Sequence, residues 1–198
     1  MSDLIYGLSL SIGAISLVIT NSQESSVSDI NKNILSFLFV FLILITSWII
    51  YTGDMSVLPV ETRLVVFLNV VLLVFVAVTP YLFDQIMSPY NNLDVQGYAS
   101  ILFTLVYAGT LSIMTIFAHI IAQEERQLVD LDTMVRFRRS RNILFFLMGI
   151  VLLSLAAPWA WTLVGVRVRM IAWFIPIAMF WFNRMRQAPV KSSDVTQQ

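Results

Sequence analysis

Hydrophobic and polar positions alternate along this chain in long blocks. Apolar runs fill positions 4–20, 34–51, 64–83, 98–122, 142–157 and 168–183, with polar stretches between them. A helix that crosses the hydrocarbon core of a bilayer needs roughly 20 apolar residues, or about 17 at the short end. The first four runs meet that length and the last two are short. Pro158, Trp159 and Trp161 follow the fifth run, and Arg167 and Arg169 stand at the start of the sixth, so these two read as one helical hairpin with short arms. The competing arrangement is a single fifth span continuing through Pro158 to Gly165. The pattern predicts an all-α, polytopic integral membrane protein with six transmembrane helices over residues 1–186 and a disordered cytoplasmic tail at 187–198.

The stretches between the runs carry turn chemistry. NSQESSVSDINKN reads as a polar linker, YTGDMSVLPVE as a Gly/Pro turn, and DQIMSPYNNLDVQG as a longer loop broken by Pro89 and Gly97. The first run is not a signal peptide on its pattern: Asp3 is the one charge before it, and SLVITNSQ has no small-residue cleavage site. It reads as a mature helix.

Lysine and arginine positions set the expected orientation. With six spans, one side collects Arg63, Arg126, Arg136, Arg138, Arg139, Arg141, Arg184, Arg186 and Lys191, and the other holds Lys32, Arg167 and Arg169. Both termini are therefore expected in the cytoplasm. The cluster VRFRRSR can also attract anionic lipid headgroups, although topology alone accounts for it.

Composition agrees with the block pattern. The 198 residues are 58% hydrophobic and 12% charged, with a mean hydropathy of +0.82, too apolar to cover a soluble globule. Twelve basic residues balance twelve acidic ones, so no basic excess argues for nucleic acid. The absence of cysteine removes disulfides and thiol chemistry, and one histidine, His119, cannot build a histidine metal cluster. No span or loop groups a nucleophile, a base and metal ligands, so no enzyme is expected. Glu124, Glu125, Asp130 and Asp132 read as a solvated loop.

The first helix has two faces. At about 100° per residue, Ser2, Tyr6, Ser9, Gly13, Ser16 and Thr20 form one stripe of mostly small and hydroxylated residues. Leu4, Leu8, Ser11, Ile12, Ile15 and Ile19 form a second stripe, centred roughly 120° away. Small residues let helices approach and hydroxyls bond across the contact. A branched apolar stripe repeated in a symmetric oligomer makes a constriction that gates by wetting. The plainer alternative packs both stripes within one subunit.

Ser2-Asp3 followed by Ser11, then SWIIYTGDM, LVVFLNVVLLVFVAVTPYLF and LVYAGTLSIMTIFAH, resemble the transmembrane protein 175 family of potassium-permeable channels. The likeness covers residues 1–122, and beyond them only hydropathy agrees. It implies six spans, a homotetramer around the first helix, and no re-entrant pore loop; no TVGYG-like filter occurs in the chain. It implies pore-lining positions at Leu8, Ser11, Ile12 and Ile15. It implies that Ser2 and Asp3 hold the pore helix through hydrogen bonds to Trp48 and Asn69, with Tyr51 where the family has histidine. Met1 stands where the signature has phenylalanine, and the family's upstream arginine has no counterpart. The expected function is a potassium leak channel in the cell membrane, with potassium ions and membrane lipid as partners and no cofactor. A small secondary transporter, a proton-conducting channel and a non-conducting membrane scaffold are the alternatives.

Remaining polar and aromatic residues have structural expectations. Asp3 also suits a helix amino terminus. Asn69 marks an interior face, and His119 suits an interface. Trp159, Trp161, Trp173 and Trp181 suit interfacial belts and packing.

Overall fold

A backbone placed in hydrocarbon must satisfy its polar groups within itself, which restricts an apolar chain of this kind to helices. The computed structural model describes residues 3–9, 11, 27–56, 62–88, 91–124, 131–163 and 166–186. Residues 3–9 and 11 are helical and form α1. There follow α2 (Val27–Met55), α3 (Arg63–Met87), α4 (Leu93–Glu124), α5 (Leu131–Leu153) and α6 (Val168–Arg186). Between α5 and α6 come a 3₁₀ turn, Ser154–Ala156, and a two-residue antiparallel pair, β1 (Thr162–Leu163) and β2 (Val166–Arg167), with Thr162 opposite Arg167.

The fold is helical, and among the described residues four segments are long and apolar enough to cross a membrane: Asn33–Met55, Arg63–Met87, Leu93–Ile121 and Arg138–Ala156. Six spans were expected. Of the other two, α1 is described only at its start, and α6 carries Arg169, Arg184 and Arg186 within its 19 residues. The break expected near Pro158 is present: helix α5 tightens at Ser154, and Ala157 adopts an extended backbone. The expected tail at 187–198 lies outside the described residues.

Two stretches with loop composition are partly helical. Helix α2 begins at Val27, inside the polar stretch read as a linker. The long loop expected over 84–97 shrinks to five residues between Met87 and Leu93, because its polar side chains satisfy helix ends. The backbone N–H of Ser88 bonds the Asp84 carbonyl at 2.9 Å, while Asn92 Oδ1 caps α4 by accepting from Val95 N–H at 2.9 Å. Gln96 Nε2 ties back to the Ser88 carbonyl at 3.1 Å, and Asn91 Nδ2 to the Gln85 carbonyl at 2.8 Å.

Helix α4 is central, packing most extensively against α5 and α3 and also touching α2. An aromatic column crosses the bundle through it. Phe39 of α2 meets Phe83 of α3 at 5.3 Å between ring centroids, Phe83 meets Phe103 of α4 at 5.6 Å, and Phe103 meets Trp173 of α6 at 4.5 Å. Such offset and tilted pairs add to the area they bury. Helices α3 and α4 approach closely at Gly109, where a Cβ would stand 2.5 Å from Phe75 Cε2. Hydroxyls inside the helices are satisfied locally: Thr79, Thr104, Thr110, Ser112 and Thr115 each donate to the carbonyl four residues back.

Candidate functional site

Helix α1 is joined to the bundle by its first residues. Trp48 Nε1, near the end of α2, donates to Asp3 Oδ1 at 2.9 Å. One turn further along α1, Tyr6 lies against Tyr51 with ring centroids 5.9 Å apart. Three of the expected supporting residues, Asp3, Trp48 and Tyr51, thus meet at one end of α2. Asn69 does not join them: its Oδ1 is buried without a hydrogen-bond partner.

The two faces of α1 differ sharply in exposure. Tyr6 is 2% and Ser9 1% exposed, whereas Leu4 is 72% and Leu8 55% exposed. Ser11 is exposed on the same side as Leu8, and its hydroxyl donates to the Gly7 carbonyl at 2.8 Å. Ser9 makes the equivalent bond to the Ile5 carbonyl at 2.9 Å within the buried face. The remaining expected positions, Ser2, Ile12 and Ile15, lie outside the described residues.

Buried polar groups missed by sequence reasoning lie beside this junction. Asp54 is 7% exposed and its Oδ2 has no partner; the hydroxyl of Tyr6 is also buried and unpaired. Asp54 was read as part of a Gly/Pro turn, yet α2 continues through it to Met55. One signal was available: Asp54 falls three residues after Tyr51, on the same helical face. A carboxylate at a helix carboxyl terminus also opposes the helix dipole, so its presence there calls for a reason.

A second polar cluster sits where α5 turns into α6. Arg169, expected as a loop charge, lies in the first turn of α6 and is 6% exposed. Its Nε and Nη2 donate to the Ala157 carbonyl at 3.1 and 2.9 Å, and Nη1 donates to Ser100 Oγ at 2.6 Å. Arg167 donates from Nη2 to Gln96 Oε1 at 2.8 Å, and its guanidinium carbon lies 4.1 Å from the centre of the Trp159 ring. Partial desolvation lowers the Arg167 pKa from the ordinary guanidinium value.

The tryptophans divide by position. Trp173 is fully buried and donates to Thr104 Oγ1 at 3.1 Å, Trp159 packs beside it, and Trp161 is exposed. His119 Nδ1 lies 3.1 Å from Arg141 Nη1 at the exposed end of α4. Among the described residues no group of three His, Cys, Asp or Glu side chains is placed to hold a metal ion. What the α1 junction can do chemically is mechanical: it fixes Tyr6 and Ser9 against the rest of the fold and leaves Leu4, Leu8 and Ser11 exposed. Comparison with family models, with curated proteins and with solved structures finds no match to this chain.

Proposed function

We propose that this chain is the subunit of a potassium-permeable leak channel, a homotetramer whose α1 helices line the pathway, set in the cell membrane with both termini cytoplasmic. The observation that carries the reading is the contrast along α1, with Tyr6 and Ser9 buried while Leu8 stands 55% exposed. A helix clamped to its own subunit on one face presents the other to whatever lies beyond. Around a fourfold axis that neighbour is the same face of three more copies, and Leu8 closes into a ring. The Asp3–Trp48 bond at 2.9 Å holds the orientation.

A narrow apolar ring blocks ions because water leaves it, and it conducts when it is wet. The hydroxyl of Ser11 keeps an unused lone pair that a passing cation can meet. Selectivity in such a neck comes from the cost of squeezing a hydrated ion. That cost is larger for tightly hydrated sodium than for potassium, so the preference is modest.

The test is flux through purified protein in liposomes, with the oligomer measured by native mass spectrometry. The wild type is expected as a tetramer that passes potassium better than sodium. Leu8→Asn is expected to raise basal potassium flux severalfold and weaken discrimination, because a polar ring stays wet. Ser9→Asn, on the buried face, should instead impair assembly. Unchanged flux in tetrameric Leu8→Asn protein would show that α1 does not line the narrowest part of the path, and flux-free tetramers would favour a scaffold.

A further inference from the structure

A cavity of about 460 Å³ lies between α2, α4, α5 and α6, away from the exposed face of α1. Its volume falls in the range of roughly 300–1,000 Å³ typical of small-molecule sites. The walls are apolar at depth, formed by Ile43, Leu111, Leu144, Leu147 and Pro176. Thr46 and Ser47 of α2 contribute two hydroxyls to one side. Tyr107 of α4 adds a phenol, and the remaining polar lining comes from one end of two helices: Arg139 and Ser140 of α5, and Asn183 and Arg184 of α6.

The cations stand at the end of this slot and not along it. Arg139 and Ser140 of α5 line the same cavity as Asn183 and Arg184 near the end of α6, so this part of α5 and the end of α6 lie together. Leu147 and Pro176 lie eight residues inward from Arg139 and Arg184, which is roughly 12 Å at the helical rise. No carboxylate is among the described residues that line the cavity, and no described side chain pairs with either guanidinium. A solvated pair of arginines needs no ligand, and neither does a small apolar void. Two cations with no partner among the described residues, a hydroxyl and an amide at the mouth of an apolar slot that long match a ligand with a negative head and a hydrocarbon tail.

We propose that this cavity holds one acidic phospholipid of the surrounding leaflet, its phosphate between Arg139 and Arg184 and one acyl chain reaching toward Leu147 and Pro176. A free phosphate would use the mouth and leave the apolar depth empty. Two guanidiniums, a hydroxyl and an amide offer more donors than a single carboxylate can accept in full, which favours a phosphodiester and its polar headgroup. Arg139 and Ser140 belong to the VRFRRSR run, which thereby acquires a ligand in addition to its topological role. The assignment is independent of ion conduction.

The full-length protein in non-ionic detergent, mixed with equal amounts of phosphatidylglycerol, phosphatidylcholine and palmitate, tests it by native mass spectrometry. One phosphatidylglycerol per chain should survive activation that strips the other two. Retention should fall by roughly tenfold or more in Arg139→Gln/Arg184→Gln, which loses two charged hydrogen-bonding groups. Leu147→Trp, which keeps the charges and fills the inner end, should also expel the lipid. Equal retention of both phospholipids, preference for palmitate, or retention unchanged in either variant would overturn the assignment. A readout that leaves both arginines and Leu147 in place covers variants that do not fold. Trp181 Nε1 donates to Thr46 Oγ1 on the cavity wall at 3.2 Å, so phosphatidylglycerol with brominated chains should quench its fluorescence, and the quenching should drop in Trp181→Phe. Identical quenching in the two proteins would count against a chain in the cavity.

Discussion

Trp48 and Asp3 are 45 residues apart in the chain and meet through one hydrogen bond of 2.9 Å. Because the bond involves a carboxylate it is stronger than a neutral one, and because it is exposed its net contribution is about 1 kcal/mol. Trp48→Phe removes the donor and Asp3→Ala the acceptor. Each should speed hydrogen exchange at the amides of α1, and the double variant should exchange no faster than the worse single one. Additive effects would show that the two side chains are not coupled. The Asp3–Trp48 pair is legible from the sequence because both residues stand in one recognisable pattern. The same pattern names Asn69, yet its Oδ1 is buried without a partner, because polarity says that an amide needs one without saying which. Arg169 is less legible still. Its acceptors include the carbonyls of Ala157 and Leu155, on the stretch where α5 gives way to extended backbone, and no side-chain pattern announces a backbone oxygen.

Between helices, the closest approach is at Gly109, where the Phe75 ring occupies the space a side chain would need. Gly109→Leu should lower the melting temperature in detergent through overpacking, a cost of about 1–3 kcal/mol that exceeds the helix propensity gained. Gly109→Leu combined with Phe75→Ala should recover part of the loss; a double variant less stable than both single ones would rule out this contact as the cause. Hydropathy located the middles of the helices well and their ends poorly. Spans of leucine, valine and phenylalanine record burial in hydrocarbon, whereas ends depend on capping by single polar side chains. Asn92 and Gln96 read as loop residues because asparagine and glutamine are common there, yet both hold the α3–α4 connection closed. The cavity between α2, α4, α5 and α6 was not legible at all: its lining is gathered from four helices, and the face that each one turns inward is decided by packing.

At the scale of the whole molecule, the aromatic column from Phe39 through Phe83 and Phe103 to Trp173 joins four helices that are not all neighbours in sequence. α6 closes the column, and it is not among the four described segments long and apolar enough to cross a membrane. Arginine near the middle of an inserting helix costs about 2.5–3.5 kcal/mol, and less toward its ends; α6 begins with Arg169 and finishes with Arg184 and Arg186. The polar groups that receive Arg169 belong to the preceding connection and to Ser100 of α4. During synthesis both emerge from the ribosome before α6 does. Membrane entry of α6 is therefore expected to be ordered: it should depend on a receptor that earlier helices have already built. A glycosylation acceptor placed in the α5–α6 turn of a carboxyl-terminal reporter fusion reads this out. Full-length protein should reach one uniform topology, while Ser100→Leu or deletion of α4 should leave a fraction of α6 uninserted. Uniform insertion of α6 in both altered chains would mean that its own apolar residues suffice and that Arg169 finds its partners only after membrane entry.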